Sequence, residues 1–373
     1  MNDFNPDRIE LARECRGWNK KELAGISGLS ASRISNLVNR KTRFTESDAE
    51  RLAFVTGFPI GFFVLPDQSV PVDQLTFRKL AKMKSSLANQ AITEFQLLLD
   101  TVTKLESMTH ACPEPLWLNG IAPRIDPSLA DIERLAGEVR TVWGLSSHGP
   151  VKDVTRSMER SGILVVPLAA PISDSTADGV SSPSVPHAKH VIGYFPEEKP
   201  GDRQRFTDAH ELGHLVLHRF RRPKDHRSLE FEANAFAGAL LMPEEDARAS
   251  ISKFTSLNAL ATLKAEWGVS IAALIARAGR LGIYDAERQK SLRIQMANRK
   301  WNKQEPIAVK NEHPTLFKQV LASAFSDVRD YRHPAVSIQA IEGFLGLPAE
   351  LVNHWCGDDL RLVDGFPIEG AVV

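Results

Sequence analysis

The stretch RFTDAHELGHLVLHRF (residues 205–220) sets His210 and His214 four positions apart, with Glu211 directly after the first. Four residues are about one turn of α-helix, so both imidazoles project from one face and can grip a single cation. Glu211 lies about 100° round the helix from His210. It can reach a water on that cation but not serve as a ligand. His218 continues the four-residue series, but eight residues of unbroken helix carry it about 12 Å along the axis from His210. A third protein ligand must come from elsewhere. The run SLEFEANAFAGALLMP (228–243) reads as a second helix, with Glu230 and Asn234 on one face and Phe231, Ala235 and Phe236 available to a core. Glu230 is the better ligand and Asn234 a hydrogen-bonding partner to a histidine, while Glu232 points away and ranks second. The strongest constraint on the fold is therefore that these two helices lie together.

Two imidazoles, one carboxylate ligand, an open fourth position and a carboxylate base make up the donor set of zinc-dependent peptide hydrolysis. The expectation is one Zn2+ held by His210, His214 and Glu230, with Glu211 as the catalytic base. The stretches RFTDAHELGHLVLH and EFEANAFAGALLMP closely resemble the ImmA/IrrE family of metallopeptidases. DGVS (178–181) and LKAEWGVSIAALIARAGRLGI (263–283) extend the likeness to roughly residues 126–305. The resemblance implies a minimal gluzincin fold, a small twisted sheet packed against the histidine helix and the glutamate helix. Tyr194, His187, His190, His218 and His226 flank the motif as possible oxyanion donors, although each reads first as a structural residue.

The N-terminal part has another character. Residues 7–64 break into short amphipathic helices, with Ser30 and Thr45 as N-caps and Gly28 and Gly57 as stops. LAGISGLSASRISNLVNRK (23–41) offers small Ala24, Gly28 at a turn, and Leu29, Ile34 and Leu37 facing inward. Ser30, Ser32, Arg33 and Asn36 stand outward, Arg33 being suited to guanine. Lys20, Lys21, Arg40, Lys41 and Arg43 can meet phosphates. Residues 8–64 resemble an Xre/Cro-type helix-turn-helix, including the trailing ERLAFVTGFPIGFF. Two departures stand out. Lys20 replaces the family's usual glutamine, and Val38-Asn39-Arg40 replaces its E-x-G, with Asn39 expected to take the left-handed turn.

The remaining features bound the whole. A chain of 373 residues suggests two or three domains. The formal net charge is zero, so any nucleic-acid-binding surface is local. Cys15, Cys112 and Cys356 are far apart and form no CxxC pair, the usage of a reducing compartment. No apolar run approaches about 18 residues, so no membrane contact is expected and the cytoplasm is the expected location. The expected class is mainly α with a small α+β zinc domain. The boundaries are 1–66 for an all-α helix-turn-helix, 67–125 for a helical connector and linker, 126–305 for the metallopeptidase core and 306–373 for a small helical C-terminal module. Short strands are expected within 162–169 and 189–196, with turn and loop residues between them.

The family resemblance implies a bacterial or phage regulator. A homodimer would bind a double-stranded DNA operator and cleave a repressor or partner protein to relieve transcriptional control. Two alternatives use the same parts: a transcription factor whose zinc domain senses a ligand or partner without cutting, and an antitoxin-like autorepressor that binds a toxin.

Overall fold

The computed structural model describes residues 3–66, 85–111, 114–172, 178–182, 189–196, 199–326 and 335–364. Cys112, His187 and the first part of the expected connector, 67–84, lie outside them. Helix dominates, with a small amount of strand. The chain divides into two compact units. The first comprises Met1–Cys112, Val166–Ala177 and Thr315–Val373, and the second comprises Pro113–Val165 and Asp178–Pro314.

In the first unit, α1 (Asp7–Cys15), α2 (Lys20–Ser27), α3 (Ala31–Val38) and α4 (Glu46–Thr56) are followed by a 3₁₀ turn over Ile60–Val64. Their starts follow from local chemistry. The Asn19 side chain accepts from the Lys21 and Glu22 backbone, and Glu22 answers by accepting from the Asn19 N–H. Ser30 Oγ accepts from Arg33 N, and Thr45 pairs reciprocally with Asp48. Gly28 (φ 67°) and Gly57 (φ 70°) close α2 and α4 in the left-handed region. Ile9, Leu23, Ile34, Leu37, Leu52, Phe58, Phe62 and Phe63 form the buried centre. Leu29 is only half-buried.

The long helix α5 (Ser85–Thr109) buries Ala91, Phe95, Leu98, Val102 and Leu105 at alternating steps of four and three. It also buries Glu94. That carboxylate accepts from the backbone N–H of Ala169 (2.6 Å) and Ala170 (2.7 Å) and from Trp355 Nε1 (2.9 Å). Burial pushes the Glu94 carboxyl up, against these three donors. The tail from Thr315 groups with the N-terminal helices. It is not purely helical as expected: Ala335–Ser337 and Arg361–Val363 pair as parallel strands beside the helices Leu316–Phe325 and Ala349–Trp355. Three-residue strands leave too little alternation to be read from sequence.

The second unit holds α6 (Trp117–Ile121), α7 (Leu129–Val142), α8 (Val154–Arg160), α9 (Gly201–Leu217) and α10 (His226–Leu241). It continues with α11 (Glu244–Ser250), α12 (Leu257–Trp267), α13 (Ile271–Arg280) and α14 (Ala286–Asn298). The proline-rich stretch expected as a linker thus contains a helical turn, α6. A three-stranded sheet of β1 (Leu164–Pro167), β2 (Gly179–Ser181) and β3 (Val191–Tyr194) has the order β1-β3-β2. Strand β2 lies inside the segment read as loop. It pairs antiparallel with β3, Val180 opposite Gly193 and Ser181 opposite Ile192. Ile132, Val139, Leu212, Val216, Phe236, Leu240, Leu274 and Tyr284 share one core.

Among the described residues no single helix is long and apolar enough to cross a membrane. Helices α12 and α13 reach that length and composition only together, across a 100° bend.

Candidate metal centre

Helix α9 is buried on every side, with all residues from Thr207 to Leu217 inside the unit. It reaches α10 through small residues. A Cβ on Gly213 would stand 3.1 Å from Ala233 Cα and 3.2 Å from its carbonyl oxygen. This close approach places Glu230, one turn before Ala233, opposite the histidines. His210 Nε2 and His214 Nε2 are 3.1 Å apart. Glu230 reaches them with Oε2 3.5 Å from His210 Nε2 and Oε1 3.6 Å from His214 Nε2. Two imidazole nitrogens on one tetrahedral zinc stand roughly 3.3 Å apart, given Zn–N near 2.0–2.1 Å, so the pair is spaced for a shared ion. Ligand-capable atoms of His210, Glu211 and His214 all lie within 4.8 Å of one another and could hold a metal ion.

Glu211 has a partner that its own motif does not supply. Ser181 Oγ, on β2 and fully buried, donates to Glu211 Oε2 at 2.9 Å. The strand lies tight against α9 at this point, since a Cβ on Gly179 would meet Thr207 Cγ2 at 2.8 Å and Glu211 Cγ at 3.1 Å. The sequence marked DGVS only by resemblance and gave Ser181 no role. One turn earlier on α9, Asp208 is fully buried and accepts from Thr155 Oγ1 at 3.0 Å. Burial, reinforced by the nearby Glu312, holds its carboxyl well above the usual range.

Other expected participants stand elsewhere. Asn234 does not turn to a histidine; its amide donates to the carbonyl of Glu230 at 2.7 Å, within its own helix. Glu232 is held by Arg221, with Nη1 2.6 Å from Oε2 and Nη2 3.0 Å from Oε1. His218, the C-cap of α9, keeps the helical hydrogen bond from its N–H to His214 O (3.2 Å), and its Nδ1 lies 3.1 Å from His214 Nδ1, one turn along the same face. Burial, then the charges of His214 and Arg221, push the His218 imidazole down to about 2. His190 faces Arg219 Nη1 at 2.9 Å, and burial with that guanidinium lowers it to about 4. Tyr194 has Asp208 and Glu159 as charged neighbours, and burial raises its phenol. His226 Nδ1 lies 4.0 Å from Glu230 Oε1.

The expected DNA-reading residues are surface-exposed in part. Ser30, Ser32, Lys20, Arg40, Lys41 and Arg43 are exposed, and Asn36 is half-buried. Arg33, expected to read guanine, is committed within its own unit. Its Nη2 lies 2.5 Å from Asp48 Oδ2 and donates to Arg43 O at 3.0 Å, and its Nε donates to Asp48 Oδ1 at 3.2 Å. Arg40 pairs with Asp7 at 2.7 Å, and Lys20 stands 3.4 Å from Glu10. The left-handed residue after α3 is Arg40 (φ 57°), not Asn39, which remains at φ −82°. Asn39 instead donates its amide to Ser35 O at 2.7 Å, which holds it in the helix-end conformation.

Compared with known families, residues 158–278 match the model of the IrrE N-terminal-like domain of peptidase family M78. The match spans α8 to α13, including both metal-site helices and all three strands, but not residues 8–64. No curated protein matches the chain. The family supports a metallopeptidase with a metal cofactor, and His210, Glu211 and His214 stand inside the matched span. Residues 158–278 are thus an IrrE/ImmA-like domain built around the histidine helix.

Proposed function

We propose that the chain is a zinc-dependent metalloendopeptidase joined to a DNA-binding helix-turn-helix, acting in the cytoplasm as a homodimer on an operator. Its peptidase domain cleaves a repressor or partner protein and so relieves transcriptional control. His210, His214 and Glu230 hold the zinc, and Glu211 is the base. The observation that carries this reading is Glu211, a buried carboxylate beside the two imidazoles that accepts a hydrogen bond from the neutral hydroxyl of Ser181. A metal kept only for structure has no use for such a base beside its ligands.

A bound zinc would supply Lewis acidity, lowering the pKa of a water and polarising the scissile carbonyl. The remaining work falls to the chain. Glu211 accepts the proton of the attacking water and can return it to the leaving amine. Ser181 fixes Oε2 of that carboxylate, which leaves Oε1 for the proton. On the DNA side, Ser32 and Asn36 offer hydrogen bonds to bases, while Lys20, Lys41 and Arg43 can meet phosphates. Arg33 reads a base only by leaving Asp48. The test incubates zinc-loaded full-length protein with a partner that co-purifies with it, and follows fragments by mass spectrometry. Cleavage by the wild type and none by Glu211→Gln supports the reading. A partner left intact by both points instead to a sensor.

A further inference from the structure

Behind His214, away from His210, runs a chain of polar contacts that the peptidase reading does not use. His214 Nδ1 lies 3.1 Å from His218 Nδ1, and His218 Nε2 lies 3.2 Å from Glu232 Oε2. Glu232 is gripped through both oxygens by Arg221. Arg221 also donates from Nε (3.0 Å) and Nη2 (2.7 Å) to Asp126 Oδ1 and from Nη1 to Leu217 O (3.2 Å). The Arg221 and His218 side chains are only 5% and 7% exposed, so water contributes little to fixing their hydrogens.

The donor and acceptor roles along this chain can be assigned in only one way with neutral rings. A carboxylate accepts and cannot donate, so His218 Nε2 carries the hydrogen that meets Glu232. A neutral imidazole has one N–H, and His218 Nδ1 is therefore a lone pair. Of the two Nδ1 atoms 3.1 Å apart, His214 must then be the donor. That leaves the lone pair of His214 on Nε2, the nitrogen that faces His210 and Glu230.

We propose that Glu232 and His218 are positioning residues that set the tautomer of His214, so that Nε2 is always presented to the metal as a lone pair. The proposal rests on the reading of His210, His214 and Glu230 as a metal site. His218 stands one helical turn after His214 on the same face, which is what lets its ring meet His214 Nδ1. Asp126 closes the far end of the chain by holding Arg221. Partners of this kind commonly contribute about 10–100-fold to metal affinity, by orienting a ligand ring and raising its basicity.

Two measurements on the full-length protein test this. Long-range 1H–15N correlation spectra of histidine-labelled wild type read each ring's tautomer directly. The expected result is His218 protonated on Nε2 alone and His214 on Nδ1 alone. A His218 ring protonated on Nδ1, or on both nitrogens, overturns the proposal whether or not any variant folds. Zinc affinity by chelator competition is the second readout. His218→Phe should bind zinc about 10–100-fold more weakly. His218→Asn, whose side-chain oxygen can occupy the position of Nδ1, should recover most of that loss. A His218→Phe protein that binds zinc as the wild type does overturns the proposal and leaves the metal site standing. A wild type that binds no zinc overturns the metal reading itself.

Discussion

Helices α9 and α3 carry the two motifs that suggest function, and they differ most in where their side chains face. From Thr207 onward every residue of α9 is buried, while α3 buries only Ile34 and Leu37 of its eight. In α9 most polar groups find partners inside the protein, because an unpaired buried polar group costs about 1–3 kcal/mol. The fold therefore fixes the site: β2 presents Ser181 to Glu211, and α10 brings Glu230 to the histidines. In and just after α3 the polar side chains face solvent and settle on whatever neighbour is available. Arg33 has settled on Asp48, and Arg40 on Asp7. A site built inward is complete in the unbound protein, whereas one built outward is completed by its partner.

The largest expected effect separates the two regions by chemistry. Glu211→Gln should retain zinc and fold yet lose cleavage by about 10²–10⁴-fold, because glutamine keeps the shape but cannot take the proton. Operator binding by the same protein should not change, as measured by fluorescence anisotropy. Equal cleavage by Glu211→Gln and wild type would remove the base from the mechanism.

Next come two glycines, one in each region. Gly213→Ala pushes a methyl to 3.1 Å from Ala233 Cα, so α9 and α10 must part. Overpacking of this kind costs about 1–3 kcal/mol and should outweigh the gain in helix propensity, lowering Tm. Zinc affinity should fall with it as Glu230 moves back. Gly25→Ala in α2 meets nothing within 4 Å and should stabilise its unit by about 0.5–1 kcal/mol. Thermal unfolding of both variants checks the contrast, and opposite signs are the required result.

The smallest effect concerns Arg33. Burial works against the ionised Asp48, but hydrogen bonds from Arg33 and Thr45 prevail and hold its carboxyl below the usual range. A depressed carboxyl contributes stability above its unfolded value of about 3.9, and that stability is lost as pH falls through the lower folded value. Arg33→Ala should cost roughly 1 kcal/mol near neutral pH, since the pair is partly exposed. It should also make the acid unfolding limb of the N-terminal unit shallower. If the variant changes operator preference at one base pair without losing stability, Arg33 leaves Asp48 on DNA and reads that base. Lys41→Ala should weaken binding to all sequences alike and flatten the salt dependence.

These contrasts show which parts of the molecule are legible in its sequence. The four N-terminal helices were readable because their ends are set by local chemistry: Ser30, Thr45, Gly28 and Gly57 act within one turn of their own positions. The pairing of His210 and His214 was readable for the same reason. The approach of Glu230 to the histidines was readable because the metal reading asks for a third carboxylate and a helix carrying one followed. The rest depends on contacts distant in sequence. Ser181 meets Glu211 across thirty residues, on a strand too short to show alternation. His218 meets Glu232 across from α10, a contact set by how the two helices pack rather than by the spacing within either. Asn234 and Asn39 chose the backbone of their own helices, a local option that competes with any distant partner.

The central claim is that the two helices of the IrrE-like domain build one zinc site from His210, His214 and Glu230. The most direct test is zinc stoichiometry by mass spectrometry of the purified full-length chain, wild type beside His214→Ala and Glu230→Ala. The account predicts one zinc per wild-type chain, none in His214→Ala and sharply weakened binding in Glu230→Ala. A full equivalent of zinc retained in His214→Ala, or no zinc in the wild type after reconstitution, would contradict it.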